Sequence, residues 1–207
     1  MDKPDRDIDA TERRLLEVLD RGFARTQRRA GQHLLCARGC HDCCFGPFPI
    51  TRLDVRRLRS GLRHADKGVV ESIVADARKA VAVLRAGFPG DPGGGKVEPD
   101  QEALDGYLAE LAGLPCPVLD RATGACRLWE YRPVACRTYG PPLSFEGEPA
   151  PHCKLCFVEA TPEMVEDCRW EPDPEGLEQQ ALRELGVDEG DDWETLIAYA
   201  VADGGAE

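Results

Sequence analysis

The chain has 207 residues, 42% of them hydrophobic, with ten cysteines and a formal net charge of −12 at pH 7. That apolar content excludes wholesale disorder, and no apolar run approaches the roughly 18 residues of a membrane span. Sixteen Asp and Glu side chains after residue 157 face only Arg169 and Arg183, so the excess acid lies in the tail and the body before it is close to neutral. Neither part is the concentrated basic surface of a nucleic-acid binder. The first nine residues are too acidic and polar for a secretory signal, so a cytoplasmic location is expected. Thiols stay reduced there, and ten cysteines then point to metal or catalysis rather than to a disulfide framework.

Asp9-Ala10-Thr11-Glu12 has the form of a capping box, and Leu15, Leu16, Leu19, Phe23 and Leu34 recur near helical spacing. A long helix is expected from about residue 10, delivering the chain into Cys36-Ala37-Arg38-Gly39-Cys40-His41-Asp42-Cys43-Cys44. In a helix those four thiols would share one face; alternatively Gly39 breaks the helix and the backbone wraps inward. Phe45-Gly46-Pro47-Phe48-Pro49 reads as a turn-rich link. Thr51 then signals a short helix ending near Gly61, whose Arg52, Arg56, Arg57, Arg59 and Arg63 read as a solvated face.

The clearest amphipathic pattern runs from Asp66 to Phe88. The Gly/Pro-rich loop 87–99 follows. Its Gly90–Val97 nearly spells a phosphate-binding loop, but Val97 stands where a Ser or Thr would hold magnesium, and the segment follows a helix where a strand is required. No phosphate site is expected. Asp100 to Leu111 reads as a third main helix. Cys116 sits between Pro115 and Pro117 on stiff backbone that suits a ligand held at a defined angle. Cys126 follows the Thr123-Gly124 turn. Pro133 is placed to open a short helix carrying Cys136, with Arg132 and Arg137 beside that thiol as offsets to thiolate charge.

The run Cys36…Cys40…Cys43-Cys44, Cys116-Pro117, Cys126…Tyr131-Arg132-Pro133…Cys136-Arg137 resembles the bacterial YkgJ-type cysteine-cluster (Cys-x-x-Cys-x-x-Cys-Cys) proteins, a zinc- or iron-chelating domain. Flagellin N-methylases carry a similar cysteine domain. The resemblance covers roughly residues 30 to 157 and implies binding of a metal or cluster. Here three residues, not two, separate Cys36 from Cys40, which sets Cys36 apart from the family pattern.

Beyond that run, His152-Cys153-Lys154-Leu155-Cys156 is half of a zinc pattern. Cys168, in a helix opened by Thr161-Pro162-Glu163, reads as a packing residue. The acidic tail is expected to form helices around Leu177 to Leu185 and Trp193 to Val201. Nine thiols suffice for two four-cysteine sites with one spare, of zinc or of an iron–sulfur cluster. Cys36-x-x-x-Cys40-x-x-Cys43 also has radical-SAM spacing, but no strand–helix alternation accompanies it.

The expected fold is mainly α, with an irregular, metal-stapled, cysteine-rich centre and little β structure. Residues 1–170 are expected as a single cysteine-cluster metal-binding domain, and 171–207 as an acidic helical appendage. The expected function is binding of zinc or iron, a 4Fe–4S cluster included, in a structural or redox role. The expected ligands are Cys36, Cys40, Cys43, Cys44, Cys116, Cys126, Cys136, Cys153 and Cys156. Cys40, Cys43 or Cys44 is expected to share a centre with Cys116, Cys126 or Cys136. The competing class is an enzyme, either an oxidoreductase or a protein N-methyltransferase like the flagellin-directed relatives. No nucleic-acid or membrane partner is expected.

Overall fold

A computed structural model describes residues 3–97, 100–187 and 193–205, with side chains from residue 10 onward. The described residues form, in chain order, α1 (Lys3–Ala30), β1 (Pro49–Ile50), α2 (Arg52–His64), α3 (Lys67–Leu84) and α4 (Gln101–Glu110). Then come β2 (Leu119–Asp120), β3 (Ala125–Cys126), α5 (Val134–Thr138), β4 (Leu143–Phe145), β5 (Glu148–Ala150), α6 (Pro162–Asp167), α7 (Leu177–Glu184), β6 (Thr195–Leu196) and α8 (Ile197–Val201). The strands pair only two by two, β1 with β6, β2 with β3 and β4 with β5, all antiparallel. The fold is mainly α, as expected, and among the described residues no helix is long and apolar enough to cross a membrane.

The chain forms two compact units, each built from separated stretches: Met1–Ala37 with Val134–Glu189, and Arg38–Pro133 with Gly190–Glu207. The tail expected as one appendage is divided between them, α7 belonging to the first and β6 with α8 to the second.

In the first unit α1 begins at Lys3, ahead of the expected start. Pro4 lies in the first turn, where a missing N–H breaks no helical hydrogen bond, so Asp9 falls inside the helix instead of capping it. The Asp9 side chain lies outside the described residues. Leu15 and Leu19 are buried, and the helix packs against α5 and α7. The Trp170 ring occupies the space over Gly22, where a Cβ would come within 2.1 Å of it. After Ala30 the chain turns at Gly31 (φ +55°), so buried Leu34 lies on extended backbone and not on the helix. Gly39 (φ +99°) and a 3₁₀ turn at Asp42–Cys44 complete the break. Cys36 to Cys44 therefore do not share a helical face; the backbone wraps, as the glycine allowed.

In the second unit the Thr51 hydroxyl accepts from Asp54 N, and α2 continues three residues past Gly61. That glycine makes room for Tyr131, whose ring lies 2.7 Å from where a Cβ would stand. The arginines of α2 are not simply a solvated face. Arg57 is buried against Asp54 (2.7 Å), Arg59 pairs with Asp203 (2.9 Å) and Arg52 lies 5.5 Å over Trp193. α3 presents Ile73, Ala77, Ala80, Val81 and Leu84 to the core, which Phe88, Val97, Leu104, Leu196 and Ala198 extend. Asp100 caps α4 by accepting from Ala103 N. In the glycine loop, the Asp91 carboxylate accepts from Gly93 N (2.9 Å) and Gly94 N (3.0 Å), and its carbonyl accepts from Gly95 N (2.7 Å). Those N–H groups are spent on the loop itself and cannot cradle a phosphate. Pro99 lies outside the described residues. The expected helix from Trp193 begins later, because Thr195 and Leu196 first pair with Ile50 and Pro49 as β6, burying both residues.

Candidate metal centre

None of the ten cysteines is in a disulfide. Their distribution follows the two units. Cys36, Cys136, Cys153, Cys156 and Cys168 lie in the first, and Cys40, Cys43, Cys44, Cys116 and Cys126 in the second.

In the first unit the extended segment after Leu34 carries Cys36 against Gly140. A Cβ at Gly140 would lie 2.1 Å from the Cys36 Sγ, so only glycine leaves room for the thiol there. The Gly140 carbonyl accepts from Cys153 N (3.2 Å), and Cys156 N donates to the Cys153 carbonyl (2.9 Å), which folds the Cys-x-x-Cys into a tight turn. Phe157, at φ +58°, reverses the chain and donates its N–H to the His33 carbonyl (2.7 Å). These bonds bring the Cys36 and Cys156 sulfurs to 4.0 Å. Two thiolates on one tetrahedral zinc, each at about 2.3 Å, stand about 3.8 Å apart. Cys136 is carried by α5 directly after Pro133, as expected, and α5 packs on α1. Cys168 ends α6, buried with Ala30, Leu34, Met164 and Phe157. Burial pushes its thiol pKa up, in keeping with a packing role.

In the second unit the two cysteine-bearing segments run side by side. Cys116 N donates to the Cys44 carbonyl (2.7 Å), Gly46 N donates to the Leu114 carbonyl (2.9 Å), and Phe45 bridges Pro115 in antiparallel fashion. Cys126 on β3 pairs with Leu119 on β2, three residues past Cys116. A hydrogen bond from Cys44 draws the Cys43 pKa down to about 7 against the opposing effect of burial, and the Arg132 guanidinium assists. Burial pushes Cys116 up to about 12, and charge on Cys126 and Cys43 adds to it. The residue is half-buried as a whole and lines an apolar cleft with Pro47, Phe48, Leu84, Leu114 and Leu196. Cys126 is raised by burial, Cys43 adding to the rise while Arg132 and Arg127 oppose it. Cys43, Cys116 and Cys126 thus act on one another.

Arg132 lies near the end of one stretch of the second unit, and Arg137 follows Cys136 in α5 of the first. Arg137 is buried and paired with Asp20 (2.9 Å) on α1. Arg132 acts on Cys43 and Cys126 and lies 3.4 Å over the Trp129 ring. Among the described residues no three His, Cys, Asp or Glu side chains already converge as a metal site. Each thiol, however, moves between staggered positions by a single χ1 rotation.

A family model described as "Putative zinc- or iron-chelating domain" and named CxxCxxCC matches residues 35–156. The chain belongs to this family. The curated proteins and the solved structures yield no match. The CxxCxxCC segment includes all nine expected ligands and leaves Cys168 outside. Metal chelation is the function its description carries, zinc and iron standing as alternatives. The donor set fits both, since an all-thiolate environment selects soft or borderline metals and iron–sulfur clusters.

Proposed function

We propose that this CxxCxxCC chain binds zinc or iron at two thiolate centres, one within each unit. Cys36, Cys136, Cys153 and Cys156 supply the first. Four of Cys40, Cys43, Cys44, Cys116 and Cys126 supply the second, with the fifth adjacent. The observation that carries this reading is the partition itself. The nine thiols of the family segment divide four and five, with a near-tetrahedral 4.0 Å Cys36–Cys156 spacing on one side. On the other, Cys43, Cys116 and Cys126 are mutually coupled. The expected sharing between the first cysteine run and the 116–126 segment is kept, while Cys136 passes to the other set.

An all-cysteine tetrahedral shell leaves no open position for a substrate, so the role is structural for zinc, and structural or electron-carrying for iron. The metal supplies the bonds that the short ribbons and the irregular 36–48 and 114–126 segments lack. Binding requires the thiols to lose their protons, which the hydrogen bond and the arginine at Cys43 favour. Reduced thiols in these numbers suit a cytoplasmic setting.

The test is anaerobic purification with elemental analysis and an ultraviolet–visible spectrum. Two filled centres per chain are expected, read as one zinc or one iron per centre, or four iron per centre for a 4Fe–4S cluster. The pair Cys36→Ser/Cys156→Ser should empty one centre, and Cys43→Ser/Cys126→Ser the other. A folded chain with fewer than two filled centres, or one in which either pair empties both, contradicts the reading. Strong visible sulfur-to-iron absorption identifies a cluster, and its absence alongside stoichiometric zinc identifies zinc.

A further inference from the structure

We propose that Cys36 and Cys156 are a redox-active pair. Cys36 is a modification site for hydroperoxides, and Cys156 is the resolving thiol that converts the product into a Cys36–Cys156 disulfide. The bond itself needs no metal. Its consequence, loss of metal from the first centre alone, rests on the two-centre reading.

The pair is positioned from both sides. Phe157 N donates to the His33 carbonyl (2.7 Å), so the backbone next to Cys156 is tied to the chain three residues ahead of Cys36. The Phe157 ring packs on two imidazoles, with centroids 6.4 Å from His33 and 5.4 Å from His152, which holds the turn in place. Cys153 N binds the start of that turn to the Gly140 carbonyl (3.2 Å). Gly140 also leaves room for Cys36, since a Cβ there would stand 2.1 Å from its Sγ and 3.2 Å from its Cβ. The two sulfurs thus meet at 4.0 Å across 120 residues of sequence. A disulfide places its sulfurs about 2.05 Å apart, which leaves a gap of about 2 Å for side-chain rotation to close.

Unequal exposure assigns the roles. Cys36 is half-buried, between exposed Leu35 and exposed Ala37, whereas Cys156 is 2% exposed. An oxidant arriving from solvent therefore meets Cys36 first. The Cys36 thiolate attacks one oxygen of the hydroperoxide; an S–O bond forms, the O–O bond breaks, and the departing alkoxide or hydroxide takes a proton to leave as alcohol or water. The Cys156 thiolate then attacks the Cys36 sulfur; the S–S bond forms, the S–O bond breaks, and hydroxide leaves as water. The two thiols lose two electrons and two protons in all, and the hydroperoxide is reduced. The thiolate is nucleophile and metal ligand alike, so metal held by Cys36 blocks the first step. Once formed, the disulfide takes two ligands from the first centre and joins the same two segments that the metal held together.

The experiment treats the full chain, metal-free after chelation or metal-loaded, with one equivalent of hydrogen peroxide, and maps the products by unreduced peptide mass spectrometry. In the metal-free chain the first product should be a peptide joining Cys36 to Cys156, lighter by two hydrogens than its reduced parts and reversed by dithiothreitol. The loaded chain should react several-fold more slowly, and its oxidised form should lose the metal of the first centre and keep that of the second. Cys153→Ser should form the same bridge. Cys156→Ser should not, and should leave Cys36 as a sulfenic acid that dimedone captures. If these variants do not fold, the map of the wild-type chain decides. A first bridge between Cys153 and Cys156 or within the second unit, or no bridge at all, overturns the proposal, and equal rates with and without metal overturn the blocking by metal. A bridge that forms in a chain whose first centre never fills removes the two-centre reading and leaves the pair standing, whereas two filled centres without the bridge remove the pair alone.

Discussion

Replacing Asp54 by Ala isolates the most deeply buried charge of the second unit. Asp54 pairs with Arg57 at 2.7 Å with both side chains almost wholly out of water, so the substitution leaves a guanidinium whose nearest anion is gone. Removing one member of a buried pair costs about 3–5 kcal/mol. The cap at the start of α2 adds nothing to the cost, because the Asp54 backbone N–H donates to the Thr51 hydroxyl and that bond survives the substitution. Against a total stability of about 5–15 kcal/mol for a folded domain, this is a loss of about a fifth or more. The assay is urea unfolding followed by far-ultraviolet circular dichroism, with the double variant Asp54→Leu/Arg57→Met as its partner. The double variant carries no orphan charge, so it should regain at least half of what the single variant loses. A single-variant loss below about 1 kcal/mol, typical of an exposed pair, would refute the argument. So would a double variant as unstable as the single one, since the loss would then come from packing and not from an uncompensated charge.

Gly140→Ala should displace the Cys36 thiol, because the new Cβ would stand 2.1 Å from its sulfur; overpacking of this kind costs about 1–3 kcal/mol. Unfolding should show that loss and elemental analysis a fall at the first centre only, whereas an unchanged metal content would mean the thiol turns away freely. On the alkaline side, burial pushes the Tyr107 pKa up to about 12, and its hydroxyl donates to the Leu84 carbonyl. The folded state therefore keeps this proton longer than the unfolded chain does. The contribution is whole below pH about 10 and is lost as pH rises through about 12. Tyr107→Phe should remove that part of the alkaline decline, and stability curves of the two proteins that fall in parallel above pH 10 would contradict it.

The helices were legible where local chemistry decides them. Thr51, Asp100 and Thr161 each cap as their side chains allow, and α3 follows its apolar spacing closely. The glycine loop was also legible, because Val97 and the preceding helix argued against a phosphate site, and Asp91 consumes the N–H groups in question. What could not be read was long-range. Asp9 looked like a cap only because nothing local shows that the helix continues upstream to Lys3. The acidic tail looked separable because charge is counted by sequence. Yet Arg14 pairs with Glu175, Thr11 donates to Glu184, and Leu196 is fully buried in the second core. Cys36 is the instructive case. Its three-residue separation from Cys40 departs from the family pattern, and the unit boundary falls within that separation, between Ala37 and Arg38.

Both units are assembled from stretches that leave the ribosome at different times. α1 finds its α7 neighbour only after residue 177, and β1 waits for a partner at Thr195–Leu196, far later in the chain. Neither unit can close around its first-made half as it emerges, although domains generally fold as units during synthesis. Cys36, Cys40, Cys43 and Cys44 are therefore translated well before the strands and helices that later complete their units. The order of manufacture makes the nascent chain the form most open to oxidation and to premature capture of metal.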